Sequence, residues 1–326
     1  MRALTTSLAI CGLSLSTLLS PVAAQADEVD AKWALVWADE FNGTSLDMDK
    51  WSYEDDCWGG GNLERQCYTE KTENVEVSDD LLTIRAIKKK TRGFANTRAA
   101  RDGEVALSPG SKRYERVRRP FSSGRIVTRN KGDWTYGRIE ARMKLPTGQG
   151  LWPAFWMLPT EYAYGGWAAS GEIDIMEAIN LGMTCKTCEG GREDRVHGTL
   201  HFGGRWPDND YSGAEVHLPA PVDGFHTYTV EWSAGRMDWY VDGKHFSTKT
   251  ADQWHTENVK GTPGFDAPFD RPFHIIFNLA VGGRWPEGEN DVGYFATDFP
   301  KEMLVDWVRV YQCAEDPDTG KACQRN

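Results

Sequence analysis

The sequence predicts an all-β fold of the sandwich type, and three observations carry that expectation. Between Trp33 and Tyr311 the chain breaks into short stretches in which apolar and polar residues alternate, the period of a strand with one buried face. Clusters of Gly, Asn and Asp punctuate those stretches as turns. Long helical patterns are hard to find, whereas 14 Trp and 33 Gly residues suit a sandwich whose loops carry aromatics.

Residues 1–26 stand apart from the fold. Arg2 gives a positive start, Leu8 to Leu19 is an apolar run, and Ala24-Gln25-Ala26 fits a cleavage site before Asp27. This is the pattern of a signal peptide, and the run is short for a membrane span. Ile10 before Cys11 argues against lipoprotein processing there. An exported mature chain, 27–326, is therefore expected, long enough for one large β domain and with no membrane span. It holds 36 basic and 48 acidic residues, a net charge of −12, so nucleic acid is a poor partner. Its six cysteines cluster as Cys57 with Cys67, Cys185 with Cys188, and Cys313 with Cys323; local disulfides are the simplest pairing in an oxidising compartment. A zinc site at Cys185 and Cys188 with His197 and His201 is the weaker alternative. Those histidines fall on one strand, four residues and roughly 13 Å apart.

In chain order, Trp33 to Phe41 reads as an opening strand that turns at Asn42-Gly43-Thr44, and Asp47 to Lys50 leads into Trp51-Ser52-Tyr53. A glycine-rich loop, Gly59 to Glu64, enters a short strand at Cys67-Tyr68. Asn74–Val77 and Leu81–Ala86 form a hairpin about Ser78-Asp79-Asp80. Residues 88–119 read as a basic, solvated excursion, with an acidic ligand as the alternative. Gly124–Arg129 and Gly137–Leu145 alternate well and are expected to pair. Leu151–Leu158 is apolar on both faces, as a central strand should be, and places Trp152 and Trp156 on one face, where they suit either sugar stacking or the core. Val196–Phe202 is a further strand; His226–Trp232 and Met237–Lys244 form a hairpin; Phe273–Val281 and Met303–Tyr311 complete the set. Gly203 to Asp208 and Gly282 to Glu287 are near-copies, read as aromatic-tipped loops rather than a repeat.

The most informative stretch is Gly171-Glu172-Ile173-Asp174-Ile175-Met176-Glu177. Glu172 and Asp174 share one strand face, and like charges there repel, so folding gains nothing from them. Glu177 breaks the alternation and would point into the core, at a cost, unless a β-bulge near Met176 returns it to the acidic face and displaces Met176. Paired carboxylates on one face suit glycoside hydrolysis, in which one acts as nucleophile or base and the other protonates the leaving oxygen. A retaining pair sits ~5–5.5 Å apart, whereas five strand residues span roughly 16 Å. The two glutamates must therefore lean together across a bent strand.

This stretch resembles the bulged catalytic strand of glycoside hydrolase family 16, laminarinase type. Trp37-Ala38-Asp39-Glu40-Phe41, Tyr136 to Pro146, Gly150 to Leu158, His197-Gly198-Thr199-Leu200-His201 and Asp306 to Tyr311 resemble other strands of that family. The resemblance implies one jelly-roll β-sandwich of two antiparallel sheets with a cleft on a concave face. It implies retaining endo-hydrolysis of β-1,3-glucan by a monomer without a catalytic cofactor. Glu172 would be the nucleophile, Glu177 the acid and base, and Asp174 the residue that orients Glu172 and keeps Glu177 protonated. Asn62, with Glu64 near it, Trp152, Trp156, His197 and Trp285 would line the cleft, with Trp206 a lesser candidate. Asp306 and the carbonyl of Glu40 would hold a structural calcium ion on the convex side. A glycine is usual in the family where Asp80 stands here; Asp tolerates that backbone better than most residues. Two readings stay open beside hydrolysis of β-1,3-glucan: a glucan-binding protein, and an enzyme that cleaves or transfers another β-glycan.

Overall fold

The computed structural model describes residues 31–257, 264–289 and 298–325; the expected signal peptide, 1–26, lies outside them. Two antiparallel sheets face each other across one apolar core. The sheet that bears the acidic stretch runs, in spatial order, Asn209–His217, Arg195–Gly203, Glu172–Glu177, Leu151–Pro159, Phe273–Val281, Arg125–Val127 and Ser52–Tyr53. The backing sheet runs Lys244–Thr250, Arg236–Val241, Phe225–Ser233, Gly137–Lys144, Lys301–Cys313, Leu81–Ala86 and Val75–Ser78, and Trp33–Asp39 also pairs with Lys301–Cys313.

Alternation decides what each strand contributes. Phe155, Met157, Ile173, Ile275, Phe277 and Leu279 of the first sheet meet Ile139, Ala141, Met143, Tyr228, Val230 and Val310 of the second in the core. Burial of such side chains, ~25 cal/mol per Å² of apolar surface, is what holds the sheets together. All nine residues of Phe273–Val281 are buried, as befits a strand with neighbours on both sides.

The expected pairing of Gly124–Arg129 with Gly137–Leu145 is not formed. Arg125–Val127 pairs with Phe273–Val281, whereas Gly137–Lys144 lies in the other sheet, between Phe225–Ser233 and Lys301–Cys313. Their alternation is real, but Ile126 and Ile139 enter the core from opposite sheets. The hairpin at Asp79-Asp80 forms, and both residues take positive φ (53° and 57°), the two-residue turn that matches strand twist. Asp tolerates this left-handed backbone better than most residues.

All three local disulfides are present, Cys57–Cys67, Cys185–Cys188 and Cys313–Cys323. Residues 88–119 are more ordered than a solvated loop: Thr91–Phe94 pairs with Arg116–Arg119, and Arg98–Asp102 is a short helix capped by Thr97.

The calcium expectation meets a different arrangement. Arg142 Nη1 bonds Asp306 Oδ2, and Arg309 grips the Glu40 carboxylate through two bonds of 2.8 and 2.9 Å. Asp306 therefore already has a cationic partner on one oxygen, which an ion at this place would have to share or displace.

Candidate active site

The acidic strand is built as a bulge. Asp174 faces Thr199 and Glu177 faces His197, so two residues, Ile175 and Met176, stand opposite the single Gly198. On the other side Phe155 pairs with Met176 and Trp156 with Asp174, which leaves Ile175 as the extra residue. The bulge thus lies at Ile175 and Met176, near Met176 as expected. Met176 leaves the acidic face, also as expected, and packs in the core beside Phe155; Ile173, Ile175 and Met176 are all buried. Glu172, Asp174 and Glu177 share the face turned away from the core.

Strand register arranges their neighbours in rows. One row runs Glu215, His197, Glu177, Ala154, Asn278, Arg125. A second carries Thr199, Asp174 and Trp156, and a third carries Tyr211, His201 and Glu172. Each glutamate receives an indole donor. Trp167 Nε1 donates to Glu172 Oε2 at 2.8 Å, and Trp152 Nε1 donates to Glu177 Oε1 at 2.9 Å. His201 Nε2 lies 3.4 Å from Asp174 Oδ2 and 3.9 Å from Glu172 Oε1. Asp174 Oδ2 is buried and has no hydrogen-bond partner. Asp174 is therefore coupled to Glu172 by charge and through His201.

Burial dominates the acidity of the site. It raises Asp174 well above the usual carboxylate range, and burial together with the Asp174 charge raises Glu172 and Glu177 each to about 8. Three carboxylates on one strand face oppose one another's ionisation, so the trio holds its protons to higher pH than free carboxylates do. Nearby His201 and the indole donors work in the other direction. Glu64, buried and bonded by Gln66 Nε2 at 2.7 Å, adds to the upward push on Glu177.

The remaining expected residues gather at the Glu177 end. Trp285 packs edge-on against both Trp152 (5.2 Å) and His197 (4.9 Å). Burial lowers the His197 pKa, which favours a neutral imidazole. The Asn62 carbonyl accepts the Arg284 N–H at 2.8 Å, which seats the Gly59–Glu64 loop beside Trp285. Trp156 lies one row away, bonded to Asn278 Oδ1 at 2.7 Å and covered by the Arg125 guanidinium at 4.8 Å. Trp206, by contrast, is 69% exposed on the loop that docks against Trp167. Cys185 and Cys188 are bonded to each other and Glu193 lies beside them, so they offer no thiolates to zinc.

Sequence reasoning missed His201, Trp167 and Arg125. His201 carried a usable signal, because His197, Thr199 and His201 share one face of a period-two strand. Trp167 sits in an irregular loop and carried none.

Comparison with known proteins agrees with this geometry. The sequence model of the glycosyl hydrolases family 16 matches residues 63–309. Glucan endo-1,3-beta-glucosidase A1 of Niallia circulans is 42% identical over 297 residues, covering 88% of this chain but only 39% of that longer protein. Glucan endo-1,3-beta-glucosidase of Cryptopygus antarcticus is 36% identical over 285 residues, 85% of this chain and 92% of that one. The X-ray structure of the laminarinase from Rhodothermus marinus superposes with a TM-score of 0.65 at 35% identity, over 86% of this chain and 97% of that chain. The two sheets form the expected jelly-roll sandwich. With its bulged three-carboxylate strand on that sandwich, the chain belongs to glycosyl hydrolases family 16.

Proposed function

We propose that this chain is a retaining endo-hydrolase of β-1,3-glucosidic linkages in β-glucans such as laminarin. The observation that carries the reading is the bulge, which turns Glu172 and Glu177 to one face with Asp174 between them. Ionised Glu172 attacks the anomeric carbon and forms a glycosyl-enzyme, while Glu177 gives its proton to the departing glycosidic oxygen. Glu177 then takes a proton from water, whose oxygen displaces Glu172 and releases the sugar with net retention. The Trp167 N–H and nearby His201 favour the Glu172 carboxylate. The buried charge of Asp174 favours the protonated form of Glu177.

Trp152, Trp156 and Trp285 offer aromatic faces and edges to sugar rings, and Asn62 and His197 offer polar contacts at the Glu177 end. The chemistry asks for no cofactor. The leader pattern at 1–26 and three disulfides support export of a catalytic domain, 27–326. No helix among the described residues is long and apolar enough to cross a membrane.

Reducing-sugar release from laminarin, mixed-linkage glucan, agarose and carrageenan, with Glu172→Gln alongside, tests the reading. Release from laminarin that the variant abolishes supports it. Release only from a galactan keeps the mechanism and overturns the substrate. Laminarin binding without release from any polymer overturns hydrolysis itself.

A further inference from the structure

Residues 88–119 carry eleven basic and three acidic side chains in a chain whose formal net charge is −11, which leaves the rest of the chain at −19. Within this segment Thr91–Phe94 and Arg116–Arg119 form a two-stranded arm. Its inner face is pinned. Gly93 lies so close to the Cys57–Cys67 disulfide that a Cβ there would stand 2.6 Å from Cys57 Sγ. Arg119 Nε bonds the Cys57 carbonyl at 3.2 Å, and the Cys57 N–H donates to Phe94 O at 2.6 Å. The arm is thereby joined to the chain that runs on into the Gly59–Glu64 loop at the cleft.

The outer face holds the opposite chemistry. Arg92 stands directly across from Arg118, and Phe94 across from Arg116. All three arginines are exposed, and among the described residues none pairs with a carboxylate. Arg85, Arg138, Arg195 and Arg309, in contrast, each grip a carboxylate. Like charges directly opposite across strands are destabilising, so the fold gains nothing from the Arg92–Arg118 pair. The Arg116 guanidinium lies 4.7 Å over the Phe94 ring, and Tyr114, 65% exposed, meets Phe94 edge-on. Planar guanidinium forks about 5–7 Å apart beside an exposed aromatic ring suit a polymer that alternates sugar faces with sulfate or carboxylate groups. Duplex DNA, with a charge every ~1.7 Å, is disfavoured by the net charge of −19 on the rest of the chain.

We propose that the outer face of this arm, Arg92, Arg116 and Arg118 with Tyr114, binds an anionic polysaccharide and docks the protein on charged polymers outside its catalytic cleft. Affinity electrophoresis of the full chain in gels containing dextran sulfate, polygalacturonate or neutral dextran tests this. Retardation is expected in a charged gel and not in neutral dextran; the gel that retards identifies sulfate or carboxylate as the group recognised. The triple variant Arg92→Gln, Arg116→Gln, Arg118→Gln should bind at least about tenfold more weakly, with laminarin hydrolysis unchanged. Arg118→Gln alone should weaken binding by a smaller factor and serves if the triple variant does not fold. Equal retardation of parent and variants, no retardation at all, or stronger retention by duplex DNA than by either polysaccharide overturns the proposal.

Discussion

Two stretches of nearly identical sequence, Gly203-Gly204-Arg205-Trp206-Pro207-Asp208 and Gly282-Gly283-Arg284-Trp285-Pro286-Glu287, end in different places. The first closes on itself as a turn, with Asp208 N–H on Arg205 O and Gly204 N–H on Asp208 O, and leaves Trp206 in solvent. The second becomes a helical turn, Arg284–Gly288, with Trp285 set against Trp152 and His197. The difference comes from what surrounds it. Glu287 accepts both the Gly283 N–H (2.9 Å) and a bidentate bond from Arg65 (2.6 and 2.7 Å). The Pro286 carbonyl accepts from Gln149 and Asn180, both buried. The copies also stand at opposite ends of the acidic strand. The first touches Trp167, whose indole bonds Glu172; the second holds Trp152, whose indole bonds Glu177. Five shared letters set a local preference, and the partners decide which Trp is packed.

The largest expected effect breaks the two ends equally. Glu172→Gln and Glu177→Gln should each lower kcat on laminarin by about a thousandfold or more, because each removes one half of the chemistry. Added azide should rescue a nucleophile or acid–base variant with different product anomers, and chromatography of the products would tell which end is which. Next, Trp285→Ala should lower kcat/KM on laminarin by about 10- to 100-fold and the melting temperature by a few degrees, since it empties a packed aromatic contact. Trp206→Ala should leave the melting temperature unchanged and raise KM only a few-fold. Equal effects from the two in calorimetry and steady-state kinetics would erase the distinction between the loops. Glu287→Gln, which weakens the clasp peculiar to the second copy, should cost about 1 kcal/mol in denaturant unfolding, whereas Asp208→Asn should cost nothing measurable.

Titration gives a smaller, directional effect. Glu172 and Glu177, each raised to about 8 from 4.5, bind protons in the folded chain that the unfolded chain releases at lower pH. Their contribution to stability is therefore fully present at acid pH and is lost as pH rises from about 4.5 through 8. The melting temperature of Glu177→Gln should fall less than the parent's between pH 5 and 8, and parallel curves would show that the glutamate is not raised. The activity of the parent should be bell-shaped in pH, lost toward acid as Glu172 gains a proton and toward alkaline pH as Glu177 loses the proton it donates. Smallest of all, EDTA should shift the melting temperature by less than about 1 °C if Arg142 alone serves Asp306, and a larger drop would show a bound calcium ion.

How much was legible follows from where the information resides. The acidic strand, its need for a bulge and its three carboxylates could be read directly, because period two is a property of consecutive residues. So could the three disulfides, whose partners are at most ten residues apart, and the Asp79-Asp80 turn. Which residue of the bulge goes unpaired, Ile175, was not legible, because it depends on the register with Phe155 and Trp156. Gly124–Arg129 and Gly137–Leu145 were paired wrongly because alternation shows that a strand has an apolar face and does not say in which sheet it lies. His201 beside Asp174, Trp167 on Glu172, Arg142 on Asp306 and the separate fates of Trp206 and Trp285 were decided only by the tertiary structure. Each depends on a contact whose geometry is fixed by strand register or by a loop packed from elsewhere, and a linear pattern of residue types carries no record of that geometry.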